Sequence, residues 1–307
     1  MMKAARIHGY NTQPVIDDAA NPAIGATEVL VRVAAAALNP LDTKMQQGLM
    51  HGFFPLDFPY TIGTDLAGTV EQVGSDVTDW RVGDGVVARA DPPRGGALAE
   101  LVVVPAGYLA KAPASVPATE AAGVPTAAGT AWQGLFEVAE LKAGQTVLVH
   151  AGAGGVGSFA IQLARHAGAR VVATASGGGV DIARRLGADR VIDYRSEQFE
   201  DKLSDLDVVI DTIGGDTQQR SFGVLRTGGT LVATSSPPDE ALAKAHGVIA
   251  SFVFHQSDAA RLTKIIGMID AGTLKVLVDR VVPVDELASA FAHQASGRAR
   301  GKIIVTL

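Results

Sequence analysis

The second half of the chain alternates short apolar runs with amphipathic helical stretches. The runs are rich in Val, Ile, Leu and Ala, which is typical of parallel strands buried on both faces. Strands that alternate with helices predict an α/β domain with a doubly wound, Rossmann-type parallel sheet. The predicted strands are residues 145–150, 170–175, 190–193, 207–211 and 229–234.

The part of the chain before about residue 119 has a different pattern of apolar and polar residues. Its β-type runs are separated by glycine and proline, which predicts a compact, mainly antiparallel, barrel-like domain. After Ser257 the pattern predicts a helix over residues 259–271 and two more strands. The strands predicted outside the parallel sheet are residues 29–33, 67–73, 85–89, 98–104, 281–284 and 302–307.

Composition narrows the functional classes. The 307 residues suffice for two domains, and the net charge of −6 without a basic stripe argues against a nucleic-acid partner. Cysteine is absent, which excludes disulfides and thiolate metal sites and fits a reducing compartment. We find neither an apolar signal core nor an apolar run of membrane-spanning length, so we expect a cytoplasmic protein without a membrane partner.

A glycine-rich loop between a predicted strand and a predicted helix carries the main chemical signal. Its glycines Gly152, Gly154 and Gly157 have the dinucleotide-binding spacing. The first allows a tight turn, the second lets the backbone approach a pyrophosphate, and the third lets the helix pack on the strand. The phosphates would lie on free N–H groups at the helix N-terminus. The loop residues predicted to bind the cofactor are Gly152, Ala153, Gly154, Gly155, Val156 and Gly157.

Five further motifs, which together span most of the chain, are residues 38–44, 63–68, 82–86, 129–132 and 297–302. As a set they resemble those of one family, the zinc-free quinone (enone) oxidoreductase branch of the medium-chain dehydrogenase/reductases. The resemblance covers nearly the whole chain and implies a split, GroES-like catalytic domain (residues 1–118 and 258–307) around an inserted Rossmann domain (residues 119–257). It also implies a homodimer, for which the apolar run at residues 248–254 is a candidate edge strand.

The resemblance also bears on metal binding. Zinc-dependent relatives use Cys, His and a further Cys or acidic residue, and motif matching places Asn39, Thr64 and Thr126 at those positions. None of the three is a usual zinc ligand, so we expect no metal. Without a metal to polarise an alcohol oxygen, alcohol oxidation is disfavoured.

The second predicted strand of the nucleotide domain indicates the cofactor. NAD-selective sites usually place an acidic residue at its end, about 20 residues after the glycines, but here Ala175 is followed by Ser176 and three glycines. The resemblance places Tyr194 beside the adenosine phosphate, with Arg195 next to it. We therefore expect NADPH as the cofactor. Either Arg195 or Arg184 supplies the charge for the 2′-phosphate, and the sequence does not choose between them.

The resemblance assigns the remaining site residues. Asn39, Asp42 and Lys44 would form the catalytic wall beside the nicotinamide ribose, with Lys44 as donor to ribose or substrate. Alternatively, Lys44 is a solvated helix lysine and Asp42 a carboxylate at a helix N-terminus. The other implied cofactor contacts are Thr126, Thr130, Phe252, Phe254, Arg300 and Lys302, although pocket wall, subunit interface and core packing stay open for the two phenylalanines.

A metal-free nicotinamide enzyme needs an acceptor that is already electrophilic. We therefore predict hydride transfer to a quinone or an α,β-unsaturated carbonyl. Two alternatives remain at this stage. One is an enoyl-thioester reductase, whose family carries an active-site tyrosine where this chain has Met50. The other is a nucleotide-binding sensor that holds NADPH without turnover.

Overall fold

A computed structural model describes all residues, from Met1 to Leu307. The chain divides into two compact units. We call residues 1–126, 257–272 and 276–307 the split unit, and residues 127–256 and 273–275 the inserted unit. The division places residues 119–126, which the sequence pattern assigned to the Rossmann domain, with the split unit.

The first part of the split unit is built from short, mainly antiparallel strands, as the pattern of residues predicted. Its first helix, α1, follows the longest strand and begins at Pro40, with Asn39 as N-cap. The elements are β1 (Met2–Ile7), β2 (Val15–Ala19), β3 (Glu28–Leu38), α1 (Pro40–Gln46), β4 (Tyr60–Thr61), β5 (Asp65–Val73), β6 (Gly85–Arg89), β7 (Leu101–Pro105), β8 (Ala110–Lys111) and α2 (Ala118–Ala121).

The inserted unit follows the predicted alternation of strands and helices. The helix α3 (Pro125–Trp132) crosses the boundary and continues as a π-helical turn over Gln133–Val138. The remaining elements are β9 (Thr146–Val149), α4 (Gly155–His166), β10 (Arg170–Ala175), α5 (Gly178–Arg185), β11 (Arg190–Asp193), β12 (Leu206–Asp211), α6 (Gly215–Ser221), β13 (Leu225–Ala233), α7 (Glu240–His246) and β14 (Ile249–Phe252).

The six strands of the inserted unit form one parallel sheet in the order β11-β10-β9-β12-β13-β14. The central strands are apolar on both faces, and Val147, Leu148 and Val149 are fully buried. The apolar run that the sequence singled out as an edge strand is β14, and it pairs only with β13. All six strands share one direction, so their carboxyl ends lie at the same edge of the sheet.

The chain then returns to the split unit with α8 (Ala259–Asp270), β15 (Val278–Pro283), α9 (Leu287–Ala295) and β16 (Lys302–Thr306). Its larger sheet has the order β15-β16-β3-β5-β6-β8, with β7 also paired to β3. The strand β16 pairs antiparallel with the end of β3, so that Ile303 lies opposite Leu38. This pairing brings the start of β16 to the point where α1 begins. No helix in the structure is long and apolar enough to cross a membrane.

Candidate active site

The glycine loop lies between β9 and α4, at the carboxyl edge of the parallel sheet. At Gly157 a Cβ atom would lie 2.2 Å from the carbonyl oxygen of Ala151 and 3.0 Å from the Cα of Gly152. At Gly152 it would lie 2.9 Å from side-chain atoms of Ala173 and Ile161. At Gly152 and Gly157 the chain therefore packs too closely on the loop's own backbone and on its neighbours to leave room for a Cβ atom.

The loop leads directly into the first turn of α4. Gly154 is the N-cap in an extended conformation. The N–H groups of Gly155, Val156 and Gly157 stand in the first turn of α4, where the helix offers no carbonyl one turn earlier to accept their hydrogen bonds. Such groups, at the positive end of the helix, suit a phosphate. The loop thus fits the pyrophosphate of a dinucleotide.

A buried histidine supports the strand end below the loop. His150 is 1% exposed, and its ring nitrogens bond to Thr174 Oγ1 at 3.1 Å and Ser221 Oγ at 2.9 Å. Burial lowers the pKa of His150 to about 4. The ring is therefore neutral at physiological pH, and it serves as a structural bridge between β9, β10 and α6.

The second predicted part of the nucleotide site lies at the ends of β10 and β11, which are paired neighbours. Ser176 Oγ donates to Tyr194 Oη at 2.8 Å, and Tyr194 is 58% exposed. The Arg195 side chain is exposed and makes no ion pair, whereas Arg184 pairs with Asp181 on the surface of α5. No carboxylate occupies residues 176–179.

Three other predicted positions lie in the inserted unit, which also contains the buried His255. Thr130 is buried in α3. Its neighbour Gly129 faces the His255 ring so closely that a Cβ atom would lie 2.3 Å from Cε1, which explains the glycine in the 129–132 motif. Phe252 is 41% exposed on the edge strand, and Phe254 is half-buried.

In the split unit, the predicted catalytic residues lie on α1 or just before it. Asn39 N donates to Asp42 Oδ2 at 2.7 Å, which closes the first turn of α1. This bond fits the alternative interpretation of Asp42 as a carboxylate at the helix N-terminus. Lys44 lies half-buried in the last turn. Met50, which the resemblance matched to the tyrosine of the thioester reductases, packs against the apolar core of this unit.

Asn39 and Asp42 belong to a larger group of polar residues that we call the buried charge cluster. Its centre is Asp65, a fully buried carboxylate at the start of β5. Asp65 accepts hydrogen bonds from Asn39 Nδ2 at 3.0 Å and from Thr126 Oγ1 at 2.6 Å. The members of the cluster are Asn39, Asp42, Asp65, Arg89, Thr126 and Lys302.

Burial dominates the electrostatics of this cluster. It raises the pKa of the Asp42 carboxyl from 3.8 to about 7; the hydrogen bond from Asn39 acts against this rise, and the Asp65 carboxylate adds to it. Burial also lowers the pKa of Lys302 and of Arg89. Two acidic and two basic side chains thus share one buried region. A carboxyl group stays ionised there only because the nearby cations stabilise its negative charge.

Two residues assigned to the cofactor by resemblance have other contacts in the structure. Lys302 is 4% exposed, and its ammonium group donates to Leu38 O at 2.9 Å and to Asn39 Oδ1. The backbone N–H of the exposed Arg300 donates to Asp279 Oδ1 at 3.1 Å. For Lys302 these contacts are an alternative role that the sequence analysis did not consider, and a cofactor contact stays a prediction for both residues.

Sequence reasoning assigned no role to Asp65 or Arg89, although Asp65 stood within a quoted motif. The signal was available in principle, because an ionisable residue inside an apolar strand is rarely buried without a partner. The partners were not visible, since Asn39 and Lys302 are distant from Asp65 in sequence and meet it only through strand pairing.

Comparison with known proteins identifies the family. The family described as "Alcohol dehydrogenase GroES-like domain" matches residues 25–114, and the family described as "Zinc-binding dehydrogenase" matches residues 186–305. A curated relative, the chloroplastic NADPH-dependent alkenal/one oxidoreductase of Arabidopsis thaliana, is 38% identical over 298 residues. That match covers 92% of this chain and 73% of the relative.

Solved structures share the fold over the whole chain. The quinone oxidoreductase from Coxiella burnetii has a TM-score of 0.93 at 29% identity, covering 100% of this chain and 99% of the other. The Escherichia coli quinone oxidoreductase, solved in complex with NADPH, has a TM-score of 0.89 at 26% identity, covering 99% and 100%. The predicted pairing of a GroES-like domain with a Rossmann domain is confirmed.

One matching family is described as a zinc-binding dehydrogenase, but the residues of this chain do not fit a zinc site. No three His, Cys, Asp or Glu side chains come together as a metal site. At two of the three positions that motif matching assigned to zinc ligands, Asn39 and Thr126 donate hydrogen bonds to Asp65. With these residues and with the quinone and alkenal oxidoreductases among its relatives, the chain belongs to the zinc-free quinone and enone oxidoreductase branch of the medium-chain dehydrogenase/reductase superfamily.

Proposed function

We propose that this protein is an NADPH-dependent, metal-free oxidoreductase that reduces quinones or α,β-unsaturated carbonyl compounds. The observation that carries the proposal is the glycine loop, where Gly157 packs on the Ala151 carbonyl and leaves three N–H groups of α4 for a pyrophosphate. Relatives named alkenal/one and quinone oxidoreductases support the acceptor class. NADPH, when bound, supplies the hydride.

The protein's own contribution is to hold the reactants and to stabilise charge. Negative charge builds on the acceptor oxygen as the hydride arrives, so a positioned hydrogen-bond donor lowers the barrier. In our proposal Lys44 is that donor to the ribose or the acceptor. The amide of Asn39 is held on both sides, by Asp65 and Lys302, and therefore fixes the start of α1. Solvent delivers the proton that completes the reduction.

A panel of acceptors tests this proposal. Purified protein should consume NADPH with small quinones or short-chain enones. Activity on crotonyl thioesters alone would indicate an enoyl-thioester reductase instead. Tight NADPH binding without turnover on any acceptor would indicate a sensor. Oxidation of simple alcohols with NADP⁺, without reduction of any acceptor in the panel, would contradict the proposal outright.

Lys44→Ala should lower kcat/KM about 10- to 100-fold, which is the loss expected when one hydrogen bond to the developing charge is removed. Steady-state kinetics with the best acceptor of the panel measures the change. The matched control is Lys111→Ala, which removes an exposed lysine from β8 of the same unit and should leave kcat/KM unchanged. Equal kinetics for the two variants would mean that Lys44 is only a solvated helix lysine.

We further propose that the enzyme prefers NADPH to NADH and that Arg195 is the residue that meets the 2′-phosphate. Ser176 and Tyr194 are hydrogen-bonded at the end of β10, and no acidic residue follows in the loop. Of the two candidate arginines, Arg195 makes no ion pair, while Arg184 is already paired with Asp181. A guanidinium without a carboxylate partner is the better partner for a phosphate.

Ser176→Asp should weaken NADPH binding by about 1–3 kcal/mol through charge repulsion, and should affect NADH far less. The ratio of the two dissociation constants measures this change. Ser204→Asp is the matched control, because Ser204 is exposed near the start of β12, at the opposite edge of the sheet. An unchanged ratio in Ser176→Asp would mean that the 2′-phosphate binds elsewhere.

We also propose a homodimer formed through β14. This strand ends the six-stranded sheet, and its Ile249 and Phe252 are 57% and 41% exposed. An apolar strand edge invites pairing with a second copy. Light scattering should give twice the chain mass of 31.6 kDa, and Ile249→Lys should shift the equilibrium towards monomer. Val82→Lys, at an exposed turn of the split unit, should not, and a monomeric wild-type protein would contradict the proposal.

A further inference from the structure

The buried ammonium group of Lys302 joins segments that are far apart in sequence. Its Nζ atom donates to Leu38 O at the end of β3 and to Asn39 Oδ1 at the N-cap of α1. It also lies 3.7 Å from Asp65 Oδ2. A lysine buried this deeply is stable only when its charge is balanced and its N–H groups are bonded.

The counterion of Lys302 is equally constrained. Asp65 accepts bonds from Asn39 Nδ2 and from the N–H and hydroxyl of Thr126, so the carboxylate connects β5, the N-cap of α1 and the start of α3. Asn39 thus contacts both charges, with its amide nitrogen on Asp65 and its amide oxygen on Lys302. The amide has a single orientation that satisfies the two bonds.

These contacts involve residues that the resemblance matches to the zinc-ligand positions of metal-dependent relatives. Asn39 and Thr126 stand at two of the three positions, and Thr64, at the third, precedes Asp65. A zinc ion would need lone pairs from all three positions, whereas here Asn39 and Thr126 turn donors towards a carboxylate and Asn39 turns its oxygen towards an ammonium group. A side-chain cation, Lys302, therefore holds Asn39 at one of these three positions.

We infer that Lys302 is a positioning residue: its ammonium group is the internal cation that orders Asn39 and Asp65, and through them sets the start of α1. The link to the reaction runs along the helix. Asn39 N donates to Asp42 Oδ2, α1 begins at Pro40, and Lys44 follows in the next turn. The effect on catalysis rests on the proposed function of Lys44, but the effect on the fold does not.

The first experiment tests the ion pair without cofactor or acceptor. Lys302→Met and Asp65→Asn each leave a buried charge without its partner and should lower the midpoint of thermal unfolding by roughly 5–10 °C. The double variant removes both charges and should recover most of that loss. Additive losses in the double variant would overturn the inference. So would wild-type stability of Lys302→Met combined with a raised dissociation constant for NADPH, because Lys302 would then be a cofactor ligand.

The second experiment separates positioning from general stability, at a temperature where all variants remain folded. If Lys302 acts through the placement of Lys44, then Lys302→Met lowers kcat/KM at least about tenfold in the wild type and much less in a Lys44→Ala background. Equal fold losses in both backgrounds would show that Lys302 does not act through Lys44 and would overturn this part. If no acceptor is reduced at all, the proposed function fails. The unfolding midpoints of the two single variants and the double variant still decide whether Lys302 is the internal cation.

Discussion

Gly157→Ala should raise the dissociation constant for NADPH at least about a hundredfold, which corresponds to about 2.7 kcal/mol. The new Cβ atom would lie 2.2 Å from the carbonyl oxygen and 2.9 Å from the carbonyl carbon of Ala151, and both are backbone atoms that no rotamer change can move away. The loop must therefore shift, and the N–H groups at the start of α4 shift with it. Titration calorimetry on the purified variant measures the loss.

The matched control is the same substitution in another helix. Gly267 lies in α8, and a Cβ atom added there would meet no other atom within 4 Å, so Gly267→Ala should leave NADPH binding unchanged. It should also add up to about 1 kcal/mol of stability, because alanine is the better helix former. If Gly157→Ala bound NADPH as tightly as Gly267→Ala, the glycine loop would not be the pyrophosphate site.

The second large effect concerns pH. Burial raises the pKa of the Asp42 carboxyl from 3.8 to about 7, so between these values the folded protein keeps a proton that the unfolded chain releases. The unfolding free energy therefore falls as the pH rises through this window, by at most about 1.4 kcal/mol per pH unit. Asp65, Lys302, Arg89 and Tyr60 are the ionisable groups around this carboxyl.

Asp42→Asn removes the titrating group while its amide oxygen can still accept from Asn39 N. The unfolding free energy of Asp42→Asn relative to wild type should therefore rise by about 2–3 kcal/mol between pH 5 and pH 8. Urea titrations in a Trp132→Phe background report on the split unit, because Trp80 is the other tryptophan of the chain. Asp57→Asn, at an exposed position in the same unit, is the control, and its unfolding free energy should change with pH as that of the wild type does. A parallel curve for Asp42→Asn would show that its carboxyl does not titrate in this window.

The sequence predicted most of the parallel sheet because its strands are specified locally. The bounds of β10 and β11 agree with the predicted runs, since both are apolar segments bordered by turn residues. The first hairpin, β1 and β2, was not predicted, because polar residues interrupt its apolar positions and β2 is mostly exposed. The run at 98–104 begins as a strand only at Leu101. Before it, Ala99 forms an isolated bridge with Ala4 of β1, and Leu98 N donates to Ile62 O just after β4.

The candidate site also has one part that the local sequence specifies and one part that depends on residues far apart in the chain. The glycine loop and the capping carboxylate of Asp42 involve neighbours within a few residues, so pattern alone was enough to suggest them. The ion pair of Asp65 and Lys302 depends on β16 pairing with β3, and on β5 lying on the other side of β3. No local pattern encodes such a contact, and resemblance alone assigned Lys302 to the cofactor.

The position of β16 has a consequence for the order of folding during synthesis. This strand lies between β15 and β3 in the larger sheet, and it carries the cation that α1 requires. The ribosome makes residues 127–256 before it makes residues 302–306, and domains generally fold as units while synthesis continues. The inserted unit can therefore fold while β3 still lacks β16, one of its neighbours in the sheet. Until β16 emerges, the nascent split unit exposes an apolar strand edge.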